Sequence, residues 1–189
     1  MPKIADLEHT PNPNARKFIL KEPLTYGVAR SFENASEAAD DELASQLFAI
    51  GHVTSVFYVD NWLTVTQDGG ADWQELMREI AGPIRGAPAA ESQSEEFAQA
   101  AQWLSRDDSE LSETDRAKLV QINELLDERV RPYLQSDGGD LYVVGLEDNV
   151  LQVHYQGACG SCPSSISGTL AGITGLVRQI DPELDVIAV

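Results

Sequence analysis

From Val53 to Val59 and again from Trp62 to Thr66 the residues are β-branched and aromatic, and Asp60-Asn61 stands between them. The pattern predicts two strands joined by a hairpin turn. Trp73, Leu76, Met77 and Ile80 then fall at i, i+3, i+4 and i+7 after Ala71-Asp72, the spacing of an amphipathic helix packed on a sheet. Upstream, Asp40, Asp41 and Glu42 precede the apolar positions Leu43, Leu47, Phe48 and Ile50, and Gly51 follows. Negative charge at the start and glycine at the end predict a short helix. Arg16 to Leu20, after the proline-broken TPNPN, reads as an early strand.

A second α/β pattern occupies the other end of the chain. Ser112 and Asp115 have the spacing of a capping box, with Asp in place of the usual Glu. They introduce a helix carrying Leu119, Ile122, Leu125, Leu126 and Val130, with Pro132 after its last turn. Asp137-Gly138-Gly139-Asp140 supplies a corner. Strands are expected over Leu141 to Leu146 and Val150 to Tyr155; Leu151, Val153 and Tyr155 share one face, which turns His154 and Gln152 to the other. After GACGSC, Pro163 opens a helix with Ile166, Leu170, Ile173, Val177 and Ile180 on one side. Asp181-Pro182 stops it, and Leu184 to Val189 reads as a final strand.

Between the two patterns the chain changes character. GAPAAESQSEE from Gly86 and SRDDSELSE from Ser105 are small, polar and acidic, with Phe97, Ala101, Trp103 and Leu104 spaced for a short helix between them. The expected organisation is therefore α+β: two small α+β domains, residues 1–88 and 112–189, joined by an acidic, partly helical linker at 89–111.

The 189 residues carry 31 acidic and 13 basic side chains, a formal charge of −18. Residues 1–90 hold 7 basic and 13 acidic groups, 91–113 hold 1 and 7, and 114–189 hold 5 and 11, so the charge is densest in the connector. Nucleic-acid binding, which rests on cations neutralising phosphates, is excluded on this balance, and anionic membrane surfaces are disfavoured by the same repulsion. The apolar runs are a handful of residues, far short of the ~20 that span a bilayer. MPKIADLEHTPNPN has neither a signal pattern nor the acid-poor composition of a transit peptide. A cytoplasmic location is expected, with the mitochondrial matrix as the alternative.

Only two cysteines are present, Cys159 and Cys162, both in one C-x-x-C, which leaves no long-range disulfide framework and fits a reducing compartment. The order strand, glycine turn, cysteine pair, helix places Cys162 at or just before a helix amino end. Unpaired N–H groups and the helix dipole favour a thiolate there, and Pro163 suits the first helical position. Gly157 and Gly160 serve equally as turn residues or as N–H donors to sulfur. Such a pair supports thiol–disulfide exchange, a zinc site or an iron–sulfur centre. The last two take about four ligands, and His9, His52 and His154 are remote in sequence, so a metal centre here implies two chains with two cysteines each. No nucleophile elbow, phosphate-cradling loop or paired-histidine motif accompanies them.

Residues 119–189, with LLDERVRPYLQSDGGDLYVV followed by GACGSCPSS, closely resemble the carboxy-terminal domain of NifU-like (Nfu) iron–sulfur scaffold proteins. Residues 9–85, with TPNPNARKFIL, LASQLFAIGHVTSVFYV and WLTVTQDGGADWQELMREI, resemble the amino-terminal Nfu domain. The resemblance implies a homodimer bridging a [4Fe-4S] cluster through Cys159 and Cys162 of each subunit and passing it to recipient apoproteins. It implies a carrier rather than an enzyme, with an amino-terminal domain that contacts partners and supplies no ligand. The family usually has a basic residue after Thr-Leu in the helix following the cysteines; here Leu170 occupies that position, and no cation follows until Arg178.

Several other residues have plainer expected roles. Ser161, Ser164 and Ser165 are read as loop and cap groups, Asp137 to Asp140 as a turn, and Arg129 and Arg131 as surface or helix-end cations. Trp62 and Trp73 are assigned to the first core, and His154 to a solvent-facing strand position.

Overall fold

The computed structural model describes residues 2–90, 112–160 and 163–189, the side chains of 163–165 excepted. By its contacts the chain divides into two units, Met1–Leu104 and Ser105–Val189. Both combine helices with a sheet, as the α+β reading requires. The connector helix predicted around Phe97, Ala101, Trp103 and Leu104 lies outside the described residues.

The first unit is a five-stranded antiparallel sheet in the order β1-β2-β5-β4-β3: β1 (Ile4–His9), β2 (Ala15–Leu20), β3 (Arg30–Phe32), β4 (Val53–Val59) and β5 (Trp62–Gln67). The predicted hairpin is β4–β5, with Val59 opposite Trp62 and Asp60 at φ 51° in the turn. Helices α1 (Glu42–Phe48) and α2 (Trp73–Gly86) contribute Leu43, Leu47, Leu76, Ile80 and Ile84 to a core with Phe18, Leu20, Val56, Tyr58, Leu63 and Val65 of the sheet. Asp41 caps α1, its Oδ1 accepting from the Ala44 N–H at 2.8 Å, and Asp72 caps α2 through the Gln74 N–H at 2.8 Å. These side chains satisfy backbone donors that have no partner within the helix.

Strands β1 and β3 are absent from the sequence expectation. β3 has only three residues, and β1 is a largely exposed edge with an irregular register between Ile4 and Asp6. Neither carries the alternation that marks a half-buried strand.

The tryptophans also depart from expectation. Trp62 is half-buried, its ring tilted by 49° against that of Phe57 with centroids 5.2 Å apart, and covered by the Lys17 ammonium at 5.0 Å. Trp73 packs against the core edge, donates its indole N–H to the Pro13 carbonyl at 3.1 Å and lies under the Arg16 guanidinium at 4.8 Å. Both are amphipathic groups lodged between apolar packing and a cation, not core centres.

The second unit is built from α3 (Glu113–Arg129), α4 (Arg131–Ser136), β6 (Gly139–Glu147), β7 (Val150–Gly157), α5 (Pro163–Val177) and β8 (Asp185–Ala188). Ser112 caps α3: its Oγ accepts from the Asp115 N–H at 3.1 Å and donates to Asp115 Oδ2 at 2.6 Å, so the shorter carboxylate closes the box on the hydroxyl itself. Pro132 does not end the helical path. It sits in the first turn of α4, which buries Leu134. β6 and β7 form an antiparallel hairpin through Asp148 and Asn149, at φ 49° and 63°, the two left-handed residues of a tight turn. β8 returns parallel to β7, making β7-α5-β8 a βαβ crossover. Ile122, Leu126, Leu134, Leu141, Leu151, Val153, Ile173, Val177 and Leu184 form the core. Leu151, Val153 and Tyr155 point into it, while His154 lies on the opposite face. Among the described residues no helix is long and apolar enough to cross a membrane.

Candidate metal centre

The site begins where β7 ends. Gly157, at φ 65°, turns the chain, and the Gly160 N–H donates to the Gly157 carbonyl at 3.2 Å. The Ala158 N–H donates to the Gly138 carbonyl at 3.1 Å, tying this loop to the α4–β6 corner. Gly139 pairs with Gly157 across the strands. A Cβ on Gly139 would lie 2.5 Å from the Gln156 carbonyl oxygen and 2.7 Å from Cys159 Sγ, so the backbone itself forms the wall against this sulfur. A Cβ on Gly160 would be 3.0 Å from the Tyr155 carbonyl oxygen, because the loop folds back on the end of β7. Both glycines therefore have steric roles.

Cys159 is 1% exposed and belongs to the buried cluster of the second unit. Close backbone approach at Gly139 holds this part of the loop inward, against the end of β7. Cys162, Ser161 and the side chains of Ser164 and Ser165 lie outside the described residues; Cys162 directly precedes Pro163, the first residue of α5. Tyr155 sits beside Cys159 in the same cluster, 4% exposed. Burial, and secondarily the negative charge available to Cys159, push its phenol up to about 12.

The corner before β6 is more than a turn. Asp140 is 6% exposed, and its Oδ1 lies 3.3 Å from Arg131 Nη1 while its Oδ2 accepts from Gln135 Nε2 at 3.1 Å. Arg131 also donates to the Leu141 carbonyl at 2.6 Å, and its Nε lies 2.5 Å from Asp127 Oδ1. Arg131 is thus an internal strut joining α3, α4 and β6, whereas Arg129 is a surface cation beside Glu128. The spacing Arg131, Gln135, Asp140 was visible in the chain, but only the unpredicted helix α4 brings the three together.

The histidines are engaged elsewhere. His154 Nδ1 donates to the Val189 O at 2.7 Å and its ring packs on Tyr142 at 5.1 Å, while His52 Nδ1 is 3.1 Å from Asp68 in the first unit. Among the described residues, no three His, Cys, Asp or Glu side chains converge on a point. Leu170, in the position where a basic residue was expected, packs against the second core, and its carbonyl accepts from Thr174 Oγ1 at 2.8 Å.

Two family models match the chain. The model for the amino-terminal domain of the scaffold protein Nfu/NifU matches residues 4–90, and that for the NifU-like domain matches residues 122–187. The chain is 36% identical over 186 residues to the human NFU1 iron-sulfur cluster scaffold homolog, mitochondrial, covering 94% of this chain and 68% of that protein. It is 33% identical over 179 residues to the protein of the same name from Drosophila erecta, covering 94% and 62%. Some relatives thus extend well beyond the span of this chain. A solution structure of a NifU-like protein from Saccharomyces cerevisiae aligns over 42% of this chain and 72% of its own at 28% identity and a TM-score of 0.38. The crystal structure of Staphylococcus aureus SAV1430 aligns over 43% and 98% at 20% identity and 0.39. The family matches along both halves, and the human relative over nearly the whole chain, place this protein in the Nfu family of NifU-like scaffold proteins.

Proposed function

We propose that this chain is an iron–sulfur cluster scaffold and carrier. Two copies each contribute Cys159 and Cys162, hold one [4Fe-4S] cluster between them, and release it to recipient apoproteins by exchange with incoming cysteine ligands. The observation that carries the reading is the C-x-x-C loop between β7 and α5 of a NifU-like domain, in a chain with no other cysteine. Four thiolates are the usual complement of such a cluster, and one chain has half that number. The names of the relatives, iron-sulfur cluster scaffold homologs, support the cargo.

The chain's own groups do three things in this reading. The glycine turns set the cysteine loop against the corner at Gly139. The Arg131–Asp140 strut holds that corner. The amino end of α5 favours anionic sulfur next to it. Because Cys159 is 1% exposed, loading requires the loop to shift enough to uncover its sulfur. The domains act as residues 1–88 and 112–189 about the acidic connector, the first offering a partner surface. Cargo transfer involves no substrate turnover. A mitochondrial matrix setting accords with the relatives' names, and a bacterial cytoplasm offers the same reducing chemistry.

Thiol–disulfide exchange is the competing reading, and the βαβ crossover at β7-α5-β8 gives it local support, since such oxidoreductases place C-x-x-C in that context. One experiment separates the two. The reduced protein is incubated anaerobically with iron and sulfide, and absorption near 400 nm, iron and sulfide content and solution mass are recorded. The carrier reading expects a brown dimer with about four irons, lost in Cys159→Ala and in Cys162→Ala. A colourless monomer that reduces disulfides would overturn it.

A further inference from the structure

Among the described residues, three hydroxyls are buried with no hydrogen-bond partner: Thr64 Oγ1 and Thr66 Oγ1 in the first unit, and the Tyr155 hydroxyl in the second. A buried hydroxyl without an acceptor is destabilising, and phenylalanine would fill the same space without that cost. The tyrosine differs from the threonines in its location. It is the last side chain on the core-facing side of β7 before the cysteine loop, 4% exposed, in one buried cluster with Cys159. The loop folds directly onto it, with Gly160 in contact with its carbonyl. In this structure Cys159 Sγ is not placed to accept from the hydroxyl; a thiolate, unlike a neutral thiol, is a strong acceptor whose hydrogen bonds are charge-assisted.

We propose that Tyr155 is a positioning residue for the cargo, its hydroxyl donating to Cys159 Sγ once that sulfur is a metal-bound thiolate. The inference rests on the cluster-carrier reading. The bond is made in the loaded state, so the hydroxyl's isolation in the unloaded chain is offset only on loading. A donor aimed at a ligand sulfur withdraws electron density, which favours the reduced cluster and slows loss of the ligand.

The test compares full-length wild type with Tyr155→Phe, both before and after anaerobic loading with iron and sulfide. Without iron, the variant is expected to melt at the same temperature as wild type or higher. Loaded, it is expected to have a more negative reduction potential and to yield iron to a chelator about 3–10-fold faster, the span of one ordinary hydrogen bond. Equal potentials and equal release rates would overturn the proposal. So would a lower melting temperature of the unloaded variant, which would mean that the hydroxyl is already bonded there. Wild type that takes up no iron and sulfide would overturn the carrier reading itself, and the Tyr155 proposal with it. A loaded wild type matched by its variant leaves the carrier reading standing and removes only the role of Tyr155.

Discussion

The backbone of Gly139 forms the wall against the sulfur of Cys159: a single methyl added there would meet Sγ at 2.7 Å and the Gln156 carbonyl at 2.5 Å. The carbonyl belongs to a paired strand and cannot swing aside as a flexible side chain would. Gly139→Ala should therefore destabilise the second unit by about 1–3 kcal/mol, as overpacking does, and push Cys159 outward. Urea unfolding followed through the second unit, together with the alkylation rate of Cys159 in the folded protein, checks both effects. A variant with wild-type stability and a still-protected thiol would show that the loop adjusts freely.

Asp140 and Arg131 form the strut beneath that wall. Asp140→Ala leaves the guanidinium with Asp127 but without its buried partner. The expected loss is about 2 kcal/mol, below the 3–5 typical of fully buried pairs, because the Arg131 side chain is 24% exposed. Asp140→Asn, which keeps the acceptor oxygen, should lose less. Equal losses in the two variants would show that charge has no part in the strut.

Lys118 in α3 and Asp181 beyond α5 meet at 2.7 Å. The hydrogen bond from Lys118, followed by that from the Glu183 N–H, holds the Asp181 carboxyl below its ordinary range. A carboxyl whose folded pKa is depressed contributes stability that is present above its unfolded pKa and disappears as pH falls through the folded one. The melting-temperature gap between wild type and Asp181→Asn should be open at neutral pH and close below about pH 4, the ordinary aspartate value. It should also narrow in high salt, since both side chains retain contact with water. A gap independent of pH would assign the effect to packing.

Asp41 serves two elements of the first unit at once. It caps α1 through Ala44, and its other oxygen accepts from the Tyr58 hydroxyl at 2.5 Å and lies 3.3 Å from Arg30 Nη1. Removing a cap costs about 1 kcal/mol, and losing the tyrosine's acceptor adds to it, so Asp41→Ala should exceed Asp72→Ala, whose described bond is the cap alone. Thermal unfolding of the two variants gives the comparison.

Where apolar spacing was regular, local order followed from it: the β4–β5 hairpin, α2, α3, the β6–β7 pair and α5 all occur where their periodicity places them. The short or exposed elements β1, β3 and α4 went unseen, because edge strands need not alternate and Pro132 reads equally as a stop or as a first-turn residue. The tryptophans illustrate the same limit. Their hydrophobicity suggested the core, but their places beside Lys17, Arg16 and Pro13 depend on which strands pair.

The sequence by itself determined the chemistry available: two thiols three residues apart, a helix start beside them, and a family resemblance carried by RPYLQSDGGDL and GACGSCPSS. Tertiary structure decided the environment of that chemistry. It buried Cys159 against Gly139, made Arg131 an internal strut, and left the Tyr155 hydroxyl without an acceptor. These are contacts between residues about 5 to 20 positions apart. They depend on the angle at which β6 leaves α4 and the loop leaves β7, and a linear pattern of apolar and polar residues does not encode such angles.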